Sequence, residues 1–269
     1  MTRAPNLLLA GCGKMGSALL KGWLDTIPDI AVTVIEPYEV PADSRIRHLS
    51  SFEDLEDDVA PTLCILAVKP QIMDDVCTSL KSKLIRGTPI LSIAAGKTLS
   101  YFTSAFGPDT PVIRSMPNTP AAIGYGMTVA CATPSVNATT KELATTLLHA
   151  VGLVEWINDE SLMDAVTAVS GSGPAYVFLL MEELAKAGVA AGLPESLSLK
   201  LARQTVIGSA QLAASDPKTS ASTLRQNVTS PNGTTAAALE VLMSDTGLAP
   251  LMIKAIDAAT RRSRELAAS

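Results

Sequence analysis

Residues 9–23, LAGCGKMGSALLKGW, carry an apolar strand straight into Gly11, Gly13 and Gly16 and then into a helical pattern. Three glycines at this spacing between a strand and a helix leave few folds open. Gly11 allows a sharp turn, Gly13 lets a ligand's pyrophosphate approach bare main chain, and Gly16 lets the helix settle on the sheet. The helix start then offers unpaired N–H groups and the positive end of its dipole to the phosphates. Glu36 stands twenty residues after Gly16, at the end of the next apolar run AVTVIE (31–36), where a carboxylate accepts hydrogen bonds from both adenosine ribose hydroxyls. The same carboxylate repels a 2′-phosphate, which favours NAD(H) over NADP(H); Arg45 and Arg47 leave a route by which NADP(H) is still accepted.

The rest of the first half repeats strand and helix. Strands are expected at 6–10, 31–36, 62–68, 89–95, 111–116, 126–132 and 152–157, with helices at 16–25, 71–84 and about 135–150. Such alternation builds βαβ units and a parallel sheet covered on both faces. From about Asn158 onward no strand pattern remains. The chain reads as an α/β domain over 1–160 followed by an all-α domain over 161–269, the change falling near 158–162. The helices of the second part are apolar around most of their surface, more than a lone bundle needs, and a second subunit is expected to cover part of it.

Composition narrows the function further. The 269 residues are 47% hydrophobic and 17% charged with a net charge of −5, and no basic cluster suits nucleic acid. No uninterrupted apolar stretch is long enough for a membrane span, and the N-terminal apolar run is too short for a secretory signal, so the cytosol is the expected compartment. Cys12, Cys64, Cys77 and Cys131 read as reduced thiols, and with only His48 and His149 no metal site is expected.

Ligands of open α/β sheets lie beyond the strand C-termini. AVKPQ (67–71) ends one strand there, and Lys69 is either a cofactor contact or a solvated turn lysine. SIAAGKT (92–98) has small residues where a flat nicotinamide needs room. SMPNTPAAIGYG (115–126) holds Asn118 between two prolines, read as ligand-facing with an Asx-turn as the plain alternative. In the helical half, AVSGSGPAYVF (168–178) interrupts an apolar helix. SPNGTT (230–235) opens another helix with Gly233, Thr234 and Thr235, a receptor for a small carboxylate or a simple threonine N-cap.

Taken together, GCGKMGSAL, AVKPQ, RSMPNTPAAIGYG, DAVTAVSGSGPAYVF and LRQNVTSPNGTTAAALEVL resemble the pyrroline-5-carboxylate reductase family over nearly the whole chain. The resemblance implies a Rossmann-type N-terminal domain and a helical dimerisation domain, in a homodimer often built into a decamer. It implies reduction of 1-pyrroline-5-carboxylate to L-proline, the last step of proline biosynthesis, with NADH or NADPH. It places Thr235 on the ring nitrogen as catalytic residue, and the substrate on Ser230, Asn232, Gly233, Thr234 and Thr235. The cofactor falls to Gly11, Gly13, Lys14, Met15, Gly16, Glu36, Ala67, Val68, Lys69, Pro70, Ala94 and Asn118. Many relatives carry an asparagine near the 2′-phosphate, where this chain reads RHLSSFED (47–54), and Glu36 replaces a residue more often small or basic. Both departures question the usual NADPH preference. Rival readings are a reductase of another imine or of a β-hydroxy acid, which would want a helix lysine that 164–176 lacks, and a non-catalytic dinucleotide sensor, which would leave SPNGTT idle.

Overall fold

The computed structural model describes residues 5–268. Its elements in chain order are β1 (Asn6–Ala10), α1 (Lys14–Thr26), β2 (Ala31–Ile35), β3 (Ile46–Leu49), β4 (Leu63–Leu66), α2 (Met73–Lys83), β5 (Ile90–Ser92), α3 (Leu99–Phe106), β6 (Val112–Met116), β7 (Gly126–Ala132), α4 (Ala138–His149) and β8 (Gly152–Trp156). There follow α5 (Met163–Val166), a π-helical turn (Thr167–Gly171), α6 (Gly173–Ala190), α7 (Glu195–Ser215), α8 (Ala221–Asn227), α9 (Thr234–Leu242) and α10 (Leu248–Ala268). The short strand β3 and the helix α3 are absent from the elements expected from periodicity; each is too brief to show a clear period.

The strands form one eight-stranded sheet in the order β3-β2-β1-β4-β5-β6-β7-β8. From β3 to β6 all neighbours are parallel. β7 then runs antiparallel to β6, and β8 runs parallel to β7. The parallel sheet expected from sequence is found, with the β6–β7 pair its one antiparallel step. The connection 117–125 contains only a 3₁₀ turn (Thr119–Ile123), not a crossover helix, so the chain returns beside β6 in the opposite direction.

The alternation of β1 sorts its side chains to two faces. Leu7 and Leu9 pack with Leu19, Leu20, Trp23 and Leu147 of α1 and α4. Leu8 and Ala10 pack with Met73, Val76 and Phe102 of α2 and α3. Coverage on both sides explains the unbroken apolar runs of the central strands. Trp23 is buried and its indole N–H donates to the Leu147 carbonyl at 2.8 Å; truncation to alanine there is expected to cost about 3–5 kcal/mol.

Two compact units result, one reaching to Ser172 and including the stretch from Ala259 onward, the other Gly173–Ala258. Within the first, Arg114 on β6 is 5% exposed and pairs with Glu160 at 2.7 Å. Glu160 also accepts the Leu99 N–H at 2.8 Å, which fixes the start of α3. The end of α10 is tied down by Ser263, whose hydroxyl donates to Asp164 at 2.6 Å.

The second unit is different in kind. Close contact of α6 and α7 rests on small residues: Ser198 donates to the Ala185 carbonyl at 2.6 Å and faces Gly188. Large apolar side chains stay outside, Phe178 among them at 62% exposed, with Leu180, Leu184 and Leu201. Among the described residues no helix is long and apolar enough to cross a membrane.

Candidate active site

The sheet order reverses between β1 and β4, and the crevice at such a point lies beyond the strand C-termini. Gly11 follows β1, Glu36 follows β2, Ala67 follows β4, Ala94 lies just past β5 and Asn118 just past β6. Parallel pairing from β3 to β6 brings all of these to one edge.

The three glycines have separate physical reasons. Gly11 holds φ +91°, and a Cβ there would lie 2.8 Å from the Ala67 carbonyl oxygen. A Cβ on Gly16 would strike the Gly11 carbonyl. A Cβ on Gly13 would meet nothing within 4 Å, so no protein atom fills that space. Gly13 is also the N-cap of α1, and no side chain bonds to the cap, unlike Thr98 at α3 and Asn137 at α4. Bare N–H groups with open space before them fit a diphosphate. Lys14 is exposed on the first turn, while Met15 turns into the core.

A pocket of about 520 Å³ joins Gly11 and Gly13 to Glu36 and to Ala67, Val68 and Lys69. Its remaining wall includes Ile72, Ser51 and Phe52, with Tyr38 at the mouth, 78% exposed. Ser51 and Phe52 fall in the 47–54 stretch that the resemblance sets near the 2′-phosphate, whereas the sequence reading missed Ile72 and Tyr38.

Glu36 sits half-buried on this wall. Its Oε2 accepts the Cys12 N–H at 2.6 Å, so the carboxylate already points at the glycine turn. Burial, and next the charge of Glu36, push the Cys12 thiol above its ordinary pKa. The two arginines left open as 2′-phosphate partners are engaged elsewhere. Arg45 donates to Asp43 through Nε at 2.9 Å and Nη2 at 2.7 Å, and to the Leu24 carbonyl at 2.9 Å. The Arg45 hydrogen bonds hold the Asp43 carboxyl at about 2. Arg47 forks onto Glu56 at 2.9 and 2.5 Å.

Ala94 is buried past β5, its N–H bonded to Ser92 Oγ at 3.1 Å. Pro70 opens a 3₁₀ turn after the exposed Lys69. Asn118 is not closed into an Asx-turn: its Oδ1 accepts the Met127 N–H and its Nδ2 donates to the Ser170 carbonyl.

The other candidate set lies in the second unit. Ser230, Asn232, Gly233, Thr234 and Thr235 form one tight turn into α9, closed by a bond from the Gly233 N–H to the Ser230 carbonyl at 3.1 Å. Asn232 takes φ +59°, and a Cβ on Gly233 would strike Ser230 Oγ. Gly233 caps α9 without any side-chain bond, so the threonine N-cap weighed from sequence does not form and the first N–H groups carry no side-chain partner. Among the described residues no group of three or more metal-ligating side chains occurs.

Comparison with known proteins joins the two sets. Residues 160–266 match the family described as pyrroline-5-carboxylate reductase dimerisation, and residues 7–96 match the family described as NADP oxidoreductase coenzyme F420-dependent. The pyrroline-5-carboxylate reductase of Pseudomonas aeruginosa is 39% identical over 98% of this chain and 97% of its own. That of Arabidopsis thaliana is 38% identical over 96% and 94%. Among solved structures, the Coxiella burnetii pyrroline-5-carboxylate reductase superposes with a TM-score of 0.86 at 33% identity, covering 98% of both chains. The Plasmodium falciparum pyrroline carboxylate reductase, solved with NADP bound, gives 0.83 at 30% identity, covering 99% of this chain and 100% of that one.

Proposed function

The chain belongs to the pyrroline-5-carboxylate reductase family, and from that premise we propose how its own residues divide the work. It reduces 1-pyrroline-5-carboxylate to L-proline by hydride transfer from NAD(P)H, in proline biosynthesis. The working division is a dinucleotide domain over 1–160 and a dimerisation and substrate domain over 161–269. The open space at Gly13, before an uncapped helix start, is the observation that carries the reading.

The bound nicotinamide supplies the hydride, and the protein supplies alignment. Gly11, Gly13, Lys14, Met15 and Gly16 form the diphosphate cradle. Glu36 receives the adenosine ribose. Ala67, Val68, Lys69, Pro70 and Ala94 line the path toward the nicotinamide, beside the loop held by Asn118. Ser230, Asn232, Gly233 and Thr234 anchor the substrate carboxylate at the α9 start, where main-chain N–H groups and the helix dipole favour an anion. The Thr235 hydroxyl, directly or through a water, holds the ring nitrogen and delivers its proton as the imine carbon is reduced.

NADH is the preferred cofactor. Glu36 opposes a 2′-phosphate, and Arg45 and Arg47 already hold carboxylates of their own. The enzyme works in the cytoplasm as a homodimer, with a decamer of five such dimers as the larger assembly.

Purified protein mixed with 1-pyrroline-5-carboxylate and either NADH or NADPH tests the reading by loss of absorbance of the reduced cofactor. Turnover is expected with both and faster at low NADH. Glu36→Ser should raise the NADPH to NADH ratio of kcat/KM by about tenfold or more; an unmoved ratio removes Glu36 from cofactor choice.

A further inference from the structure

Asn118 lies between β6 and the 3₁₀ turn Thr119–Ile123, in extended backbone. Its Oδ1 accepts the Met127 N–H at 2.8 Å, and its Nδ2 donates to the Ser170 carbonyl at 3.2 Å and contacts Ser170 Oγ at 3.3 Å. Ser170 belongs to the π-helical turn, where the Ser172 N–H reaches back to the Thr167 carbonyl at 2.8 Å. In a regular helix the Ser170 carbonyl would receive the N–H of residue 174. That residue is Pro174, which has none. Asn118 donates to that carbonyl from outside the helix.

The same contact is packed as well as bonded: Met116, at the end of β6, lays its side chain against Gly171 of the π-turn. On its other side the Thr119–Ile123 turn packs on α1, the helix that opens at the dinucleotide turn. One amide thus pins the end of β6, the start of β7 and the π-turn together, next to the strand edge that bears the candidate cofactor residues.

We propose that Asn118 is a positioning residue for hydride transfer: through its bonds to Met127 and Ser170 it clamps the 117–126 connection and sets the wall behind the nicotinamide, without touching the cofactor itself. This rests on the reductase reading and on that connection lining the nicotinamide side. A wall displaced by an ångström misaligns donor and acceptor while the distant diphosphate and ribose contacts, which dominate affinity, stay intact.

The test uses the full-length enzyme with Asn118→Asp and Asn118→Ala. Aspartate keeps shape and the acceptor for Met127 but sets an oxygen against the Ser170 carbonyl; alanine removes both bonds. Thermal melting, NADH affinity by fluorescence titration, and turnover with NADH or its 4-deuterated form are measured. The aspartate variant should stay folded and bind NADH within about twofold of wild type. Its kcat should fall about tenfold or more, and the deuterium isotope effect on kcat should rise as hydride transfer becomes limiting.

NADH affinity weakened by the same factor as kcat/KM would make Asn118 a direct ligand and overturn the proposal. So would unchanged kcat and isotope effect in a folded variant, or an aspartate variant that does not fold, since the clamp would then serve the fold alone. Wild-type turnover of 1-pyrroline-5-carboxylate is the separate control: its absence sinks the reductase reading, while its presence beside unaltered variants sinks only the clamp.

Discussion

The two units bury their apolar residues by opposite means. The first encloses Leu7, Leu9, Trp23, Leu8, Met73 and Phe102 in two layers around its sheet. The second encloses little beyond Ala185, Ser198 and Ala202 and shows Phe178, Leu180, Leu184 and Leu201 to solvent. Exposed apolar patches of that extent mark an interface, which agrees with the dimerisation family matched over 160–266. One region is a complete sheet fold that carries the glycine turn; the other leaves its apolar helix faces uncovered and carries the 230–235 turn.

The strongest way to break this contrast is to charge the exposed face. Leu180→Glu with Leu201→Glu should leave the sheet unit folded, convert the dimer to monomer in light scattering, and lower activity about a hundredfold or more. A variant that stays dimeric and active would mean that another surface covers the second unit.

Next in size is the receptor itself. Thr235→Ala should lower kcat/KM about a hundredfold with little change in melting temperature, and Thr235→Ser should keep most activity, since the hydroxyl is the working group. Full kcat/KM in the alanine enzyme would remove Thr235 from the chemistry.

Within the sheet unit, two glycines three residues apart should respond differently. Gly16→Ala drives a Cβ into the Gly11 carbonyl and should lower the melting temperature by an amount corresponding to about 1–3 kcal/mol. Gly13→Ala finds open space and an extended φ of −65°, so stability should hold while KM for the cofactor rises about tenfold. Equal losses of stability in both would mean that Gly13 serves the turn and not a ligand.

The smallest effect concerns the thiols. Burial pushes Cys77 and Cys131 up to about 11 and raises Cys64 further still. A group of pKa 11 is neutral below that value, with about one thiol in a thousand ionised at pH 8, and gains reactivity as pH rises toward it. Alkylation of the native enzyme at pH 8 should therefore be slow at these positions, by mass spectrometry of the labelled peptides. Rapid labelling of Cys77 or Cys131 would show that the core of the sheet unit opens readily.

Much of this was legible in the linear chain. The strand, the glycine triplet and Glu36 marked the candidate dinucleotide site, where Gly11 and Gly16 answer local steric demands and Gly13 leaves open space. The change from alternating elements to helices alone marked the second half, and its surplus of apolar helix faces marked a partner. Other features were not legible. β3 and α3 are too short for a periodic signal, and the reversal at β7 depends on a connection with no crossover helix. The partners of Arg45, Arg47 and Asn118 were open in the sequence, since long or branched polar side chains reach several neighbours equally well on paper.

What residue order determined by itself is the class of the fold, the family, and the two turns proposed to receive a dinucleotide and a small acid. The fold class and the turns follow from backbone geometry and periodicity, which act over a few residues. Tertiary structure alone decided that Arg45 and Arg47 are held by Asp43 and Glu56, and that Asn118 donates to the Ser170 carbonyl. The physical reason is that a hydrogen bond is settled by which groups arrive within about 3 Å of each other, and only the packed chain brings together residues 52 positions apart.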